Sequence, residues 1–311
     1  MKSTITALLG AAATLTKQSH SRAGSGSDAG DSGETIAPRG SAPSFAPIIS
    51  RPDPMSEISD LVRDLVVANR ILARENVVDA YGHVSVRHPG NPHRFFLATS
   101  IAPEMVEEHH IVEFNLDCTP VREDGRPLYH ERFIHGGIYE TRGDVQAVVH
   151  AHSEDVLPFT ISTTPLHPVI HSGSFMGAHV PVWDMADRFG QNTNMLVTSM
   201  EQARDLARCL GADNVALMRG HGFSAAARSL IEVVRMAVYV PRNARVLTNA
   251  LRLAPDIKPL HDGEIAARNA GYKPYSLETR RAWRYWAHKA GCAHLVEEHP
   301  VDHAHKPWGS E

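Results

Sequence analysis

Residues 145–153 read VQAVVHAHS, and the alternation in this stretch is where the fold begins to show. Successive side chains of a strand point to opposite faces. Gln146, Val148, His150 and His152 therefore point one way, and Val145, Ala147, Val149 and Ala151 the other. Two imidazoles at i and i+2 on one face can ligate a single metal ion, and a third ligand from a remote loop would leave positions open for substrate.

Downstream, residues 214–219 read as a buried strand that runs into the turn Gly220-His221-Gly222. Flanking glycines let the backbone turn tightly and bring a ring close to another element, and strand-end loops are where α/β sheets place their sites. His221 is the candidate third ligand. Upstream, residues 131–141 read as a helix, because Phe133, Ile134, Ile138 and Tyr139 share one face and Gly143 sits just past its end. Glu131 opens that helix, where backbone N–H groups favour an anion. Beside a divalent ion its carboxylate could complete the coordination or carry a proton.

Further out, a helix is expected from about Met55 to Glu75, capped by Ser56 or Asp60, with Ile58, Leu61, Leu65, Val66, Ile71 and Leu72 at helical spacing. Short apolar runs at 82–87, 94–98 and 111–115 predict three strands in a meander. The remainder alternates. A helix is expected from Glu154, strands near Val169 and at 180–183, a helix over 201–210, and a helix over 230–253 that Pro241 should kink or break. This order predicts an α/β domain over residues 55–254, one sheet with helices packed on it. Residues 1–54 are read as a disordered leader, rich in Gly, Ser, Ala and Pro from Ser19 onward. Residues 255–311 are read as a C-terminal extension, with an amphipathic helix at 277–290 and then a His-rich tail whose His294, His299, His303 and His305 are assigned no function.

Of 311 residues, 42% are hydrophobic and 21% charged, as in globular proteins. A formal charge of −4 and a pI near 6.6 offer no electrostatic case for nucleic acid or an anionic membrane as partner. Cys118, Cys209 and Cys292 are odd in number and widely spaced, which suggests neither a disulfide framework nor a thiolate zinc site. No run has the roughly 18 apolar residues of a spanning helix. A cytoplasmic location is the default reading. The alternative is a targeting segment for export or organelle import, since residues 5–16 form a mildly apolar stretch behind Lys2.

The motifs GHVSVR at 82–87, ERFIHGGIY at 131–139, VVHAHS at 148–153 and RGHG at 219–222, in this order, resemble the class II aldolase/adducin family over about residues 58–253. The resemblance implies a three-layer α/β/α sandwich on a mostly antiparallel sheet and a homo-oligomer, commonly a tetramer with sites between subunits. It also implies one divalent metal ion per subunit, zinc, manganese or iron, on His150, His152 and His221, with Glu131 as acid/base. Two departures concern substrate. Sugar-phosphate members carry Gly-Asn-x-Ser where this chain has Gly82-His83-Val84-Ser85, and two serines where it has Tyr129-His130.

The motifs are more similar to a branch containing decarboxylases of hydroxylated aromatic or pyridine dicarboxylates and some iron-dependent oxygenases. The expected function is a metal-dependent carbon–carbon lyase that decarboxylates a small acidic substrate. The alternatives are an aldolase or epimerase on a sugar or keto acid, a non-haem iron(II) oxygenase, and an adducin-like interaction module. His83, Ser85 and Arg219 are candidate substrate-binding residues, because a guanidinium grips a carboxylate with two parallel bonds. Tyr239 on the late helix is a candidate phenolic donor.

Overall fold

The computed structural model describes residues 54–273 and 276–297. The expected leader therefore lies outside the described residues apart from Pro54, as do His299, His303 and His305 of the tail.

Seven strands form one sheet: β1 (His83–Arg87), β2 (Arg94–Ala98), β3 (Ile111–Asn115), β4 (Ala147–Ala151), β5 (Val182–Trp183), β6 (Val215–Met218) and β7 (Gly222–Ala227). Their order is β3-β2-β1-β4-β7-β6-β5. Every pairing is antiparallel except β5 with β6. The first three strands are the expected meander, and β4 lies in the middle of the sheet.

Helices cover both faces. On one side α1 (Pro54–Arg74), α6 (Leu230–Leu253) and α8 (Leu277–Lys289) pack against Ala147, Val149 and Ala151 of β4. On the other, α2 (Phe133–Thr141) and α5 (Met200–Leu210) pack against Val148. This is the three-layer α/β/α sandwich, and β4 is apolar on both sides because both sides are roofed. Four shorter α-helices, α3 (Leu157–Ile161), α4 (Met185–Phe189), α7 (Asp262–Ala270) and α9 (Ala293–Glu297), and four short 3₁₀ helices complete the described elements.

Two glycines seat α2. A Cβ at Gly137 would stand 2.7 Å from the Ala203 carbonyl carbon on α5, and one at Gly136 would stand 2.4 Å from Leu116 O. Each glycine costs about 1 kcal/mol of helix propensity, which the close packing of α2 between α5 and the β3 loop offsets. Serines begin the helices nearby: Ser199 Oγ accepts from Gln202 N–H at α5, and Ser229 Oγ from Glu232 N–H at α6.

Several elements differ from expectation. No strand forms near Val169. One buried side chain, Asn243, takes the place of a ladder there, accepting from Val169 and Ile170 N–H at 2.8 and 3.3 Å and donating to His167 O at 2.7 Å. The helix expected from Glu154 is confined to α3. Helix α6 runs unbroken through Pro241, since Val234, Ala237, Val240, Ala244 and Leu247 on either side of the proline are all buried in one core. Strand β7 was not anticipated, although it joins β4 to β6.

Candidate metal centre

The β6–β7 hairpin creates one side of the site. Its three-residue turn, Arg219-Gly220-His221, is closed by His221 N–H donating to Met218 O at 3.0 Å, with Gly220 at φ +62°. Strand β7 then pairs with β4 so that Ala151 stands opposite Phe223. His221, one residue before β7, is thereby brought beside His152, one residue after β4.

His150 Nε2 lies 3.0 Å from His152 Nε2, which lies 3.2 Å from His221 Nε2. Glu131 Oε2 is 3.6 Å from His150 Nε2 and 3.3 Å from His221 Nε2. One ligand atom from each of the four residues falls within 4.8 Å of all the others. His150 is fully buried and Glu131 nearly so, while His152 and His221 are half-buried. What exposure the site has is on its His152 and His221 side.

Ring orientation tests whether these residues suit a cation. His150 Nδ1 faces Phe223 O at 3.2 Å and His152 Nδ1 faces Asp79 Oδ1 at 3.4 Å. A carbonyl and a carboxylate oxygen only accept, so both Nδ1 atoms carry the proton and both Nε2 atoms present lone pairs to each other. Facing lone pairs repel unless a cation lies between them. Nitrogen ligands 2.0–2.1 Å from a tetrahedral zinc would stand roughly 3.3 Å apart, close to the spacings here. The donor set fits a divalent metal, and the hydrogen bonds behind it are those that orient metal-binding imidazoles.

Burial holds the His150 ring down at about 4, so it is neutral and free to ligate. Burial pushes the Glu131 carboxyl up, but the adjoining His150 and His221 rings outweigh it and keep the group well below the usual carboxylate range. Glu131 sits in a turn of 3₁₀ helix over His130–Arg132. Its anchor is not the N-terminus of its own helix, as expected, but Val197 N–H, which donates to Oε1 at 2.9 Å and leaves Oε2 on the histidine side.

The remaining candidates are placed differently. His83 is the cross-strand partner of His150 on β1, its ring 5.3 Å from the His150 ring, and it is buried. Ser85 is wholly buried; its Oγ is shared between His135 Nδ1 at 2.6 Å and Tyr139 Oη at 2.8 Å. His83 Nδ1 meets His135 Nε2 at 2.6 Å, so a buried chain runs from His83 through His135 and Ser85 to Tyr139. Burial drives both imidazoles down, His135 to about 3. Within one chain, then, Ser85 is engaged inside the fold. Arg219 shares a small recess with His221, and its Nε is paired with Asp184 Oδ2 at 2.5 Å. Tyr239 lies in the α6 layer across the sheet, its ring 6.3 Å from Trp286 and under the guanidiniums of Arg235 and Arg242. Within one chain it gains no contact with the histidines.

Sequence reasoning missed Asp79, His135, Tyr139 and the Val197 amide. His135 and Tyr139 carried a signal, four residues apart on α2 and thus on one face. Asp79 and Val197 lie in loops with no periodicity to read.

Comparison with known proteins agrees with this architecture. The family profile described as Class II Aldolase and Adducin N-terminal domain matches residues 63–248, and the chain belongs to that family. It is similar to decarboxylase tropJ of Talaromyces stipitatus, 37% identical over 62% of this chain and 77% of that relative. It is also similar to 3,4-dihydroxyphthalate decarboxylase of Arthrobacter keyseri, 26% identical over 71% of this chain and 90% of that one. The fold matches that of the solved L-fuculose 1-phosphate aldolase from Glaciozyma antarctica, with a TM-score of 0.61 and 20% identity over 80% of this chain and 93% of the other. Among the described residues no helix is long and apolar enough to cross a membrane.

Proposed function

We propose that this chain is a metal-dependent lyase that decarboxylates a small hydroxylated aromatic or heteroaromatic acid. The observation that carries the reading is the convergence of three imidazole Nε2 atoms and the Glu131 carboxylate within 4.8 Å, in a chain whose relatives include decarboxylases of that substrate class. His150, His152 and His221 hold the ion, zinc, manganese or iron. When bound, a divalent cation supplies Lewis-acid stabilisation of the negative charge that develops as carbon dioxide leaves.

Glu131 begins as a carboxylate, which suits it to take the proton of a substrate hydroxyl. The bond from ring carbon to carboxylate then breaks, leaving its electron pair on the ring, and Glu131 returns its proton to that carbon. Val197 N–H, bound to Oε1, fixes which carboxylate oxygen does this. In this reading Arg219, beside His221 in the same recess, exchanges Asp184 for a substrate carboxylate. A homo-oligomer is part of the reading, and a subunit contact would wall the open side of the site.

The fuculose phosphate aldolases among the relatives make retro-aldol cleavage the second reading. The burial of Ser85 against His135 and Tyr139 counts against it, because a phosphate-binding loop must present its donors. The test is metal analysis of the full chain without a His-tag, beside His152→Ala, followed by anaerobic carbon dioxide release from 3,4-dihydroxyphthalate and related acids. Near one equivalent of metal, lost in the variant, with anaerobic release supports decarboxylation. Bound metal with cleavage of fuculose phosphate instead would replace it with the aldolase reading, and a metal-free wild-type protein would sink both.

A further inference from the structure

A cavity of about 710 Å³ opens at the end of the sheet opposite the histidines. Its walls include Asp144 just before β4, Asn214 just before β6, and Ala227 and Arg228 at the end of β7. The histidines lie at the other ends of these same strands. A five-residue strand spans roughly 17 Å, so the cavity is a separate place. Its volume falls within the range of small-molecule sites, about 300–1,000 Å³.

Four arginines line it: Arg142, Arg228, Arg235 and Arg268. Two are already occupied, Arg142 by Asp144 at 2.7 Å and Arg268 by Glu278 at 3.1 Å. Arg235 differs. It is only 6% exposed, its guanidinium lies over the rings of Tyr239 and Tyr272 at 5.4 and 5.1 Å, and among the described residues no carboxylate or other acceptor bonds it. A buried cation without an anion is costly. The cavity's second acid, Glu232, accepts Arg228 N–H at 3.2 Å and lies near enough to Arg235 and Arg228 to feel their charges, but among the described residues it forms no ion pair with either. Arg228, at the rim, likewise has no ion pair among the described residues. The Tyr272 hydroxyl is a second buried polar atom there; among the described residues it has no partner at full hydrogen-bond geometry, Thr279 being its polar neighbour. Phe175 and Met236 add apolar wall.

The geometry points to a second binding site, independent of the metal centre, for a small organic dianion whose carboxylate or phosphate oxygens pair with Arg235 and Arg228 while its body rests against Phe175, Met236 and Tyr272. Bidentate pairing to a guanidinium already stacked on rings is the arrangement in which Arg recognises such groups. The site is distinct from the proposed reaction and stands whether or not that reading holds.

The test is calorimetric titration of the full-length protein with two probes, phenyl phosphate and phthalate, in metal-loaded wild type, Arg235→Met and Arg228→Gln and in the metal-depleted His152→Ala. Saturable binding of either probe is expected in wild type and in His152→Ala. It should weaken at least tenfold in Arg235→Met and several-fold in Arg228→Gln, and the tighter probe identifies the anion type. If Arg235→Met does not fold, the rim variant carries the comparison. Absence of saturable binding by both probes, or binding that disappears in His152→Ala and survives in the arginine variants, would overturn the proposal.

Discussion

Gly222→Ala should loosen the metal site without touching a ligand. A Cβ at Gly222 would lie 2.1 Å from Ala151 O, 3.0 Å from Ala151 C and 3.2 Å from His152 Cα. Carbon–oxygen contacts between strands are ~3.3 Å or longer, so something must move by about 1 Å. The obstacle is backbone of β4, the central strand, and cannot swing aside as a side chain would. The added methyl must therefore part β7 from β4 where Ala151 faces Phe223. Overpacking of this kind costs about 1–3 kcal/mol, and losing two ladder bonds adds about 1 kcal/mol each. A total near 4 kcal/mol corresponds to a fall in Tm of roughly 8–16 °C for a domain of this size.

The displacement lands on the site, because His152 follows Ala151 and His221 precedes Gly222, so metal affinity should fall as well. Gly220→Ala is the control. It lies in the same turn at φ +62°, where a non-glycine residue costs about 1–2 kcal/mol, but its nearest neighbour is the mobile Met195 Cε at 3.2 Å. Thermal melts with metal analysis on both variants decide the matter. A Gly222→Ala protein with wild-type metal content that melts within about 3 °C of wild type, or one that loses no more stability than Gly220→Ala, would refute the reasoning.

Other consequences follow from single groups. Glu131→Gln keeps an oxygen for Val197 N–H and the shape of the side chain, so metal content should hold while turnover of the acid falls about 10²–10⁴-fold; an unchanged rate would remove Glu131 as proton carrier. His83 and His135 are held neutral by burial, His135 down at about 3, so the unfolded chain takes up protons that the folded chain refuses. Below the ordinary histidine pKa near 6.5, each should therefore lower stability by about 1.4 kcal/mol per pH unit, until pH reaches its folded value. Urea titrations between pH 7 and 4 measure that slope, and a flat profile would contradict it. Asn243→Leu leaves the Val169 and Ile170 N–H groups and His167 O without their partner, for an expected loss of at least about 3 kcal/mol at 1–3 kcal/mol per group, readable by chemical denaturation; a loss under about 1 kcal/mol would mean that water replaces the side chain at no penalty.

The parts of the fold legible in the sequence were those with a period. Strands β2 and β3 fall where short apolar runs place them and helix α5 where a helix ending at Gly211 was expected, and His150 and His152 declared themselves because a strand's two-residue repeat puts them on one face. β7 escaped because its GFSAAA carries no β-branched residue. The structure explains that composition: Ala225 and Ala227 pack under α6 in one core while Ala226 faces the other, and small side chains let helices approach a twice-roofed strand. The Glu131 anchor escaped for a different reason. Val197 is 66 residues away in sequence, and its contribution is a backbone amide, which no residue type announces. The partners of Ser85 were illegible too: its motif position was visible, but His135 and Tyr139, which share its hydroxyl, lie on a different element.

The convergence of the histidines also bears on how much of the site exists before an ion arrives. Bringing neutral imidazoles together with lone pairs facing at 3.0 Å is unfavourable, so something else must hold them. His150 is fixed within the strand pairings of β4 to β1 and β7, and its Nδ1 proton is committed to Phe223 O. His221 is fixed by the hairpin turn. His152, half-buried and beyond the strand end, takes its orientation from an exposed carboxylate, Asp79. The sheet thus organises the His150 ring and the backbone of His221 independently of the ion, and the position of His152 is set by the ion and Asp79 together. Because hydrogen-bonded partners behind a ligand typically govern 10–100-fold of metal affinity, the weakest link of the centre lies at Asp79, outside every motif that marks the family.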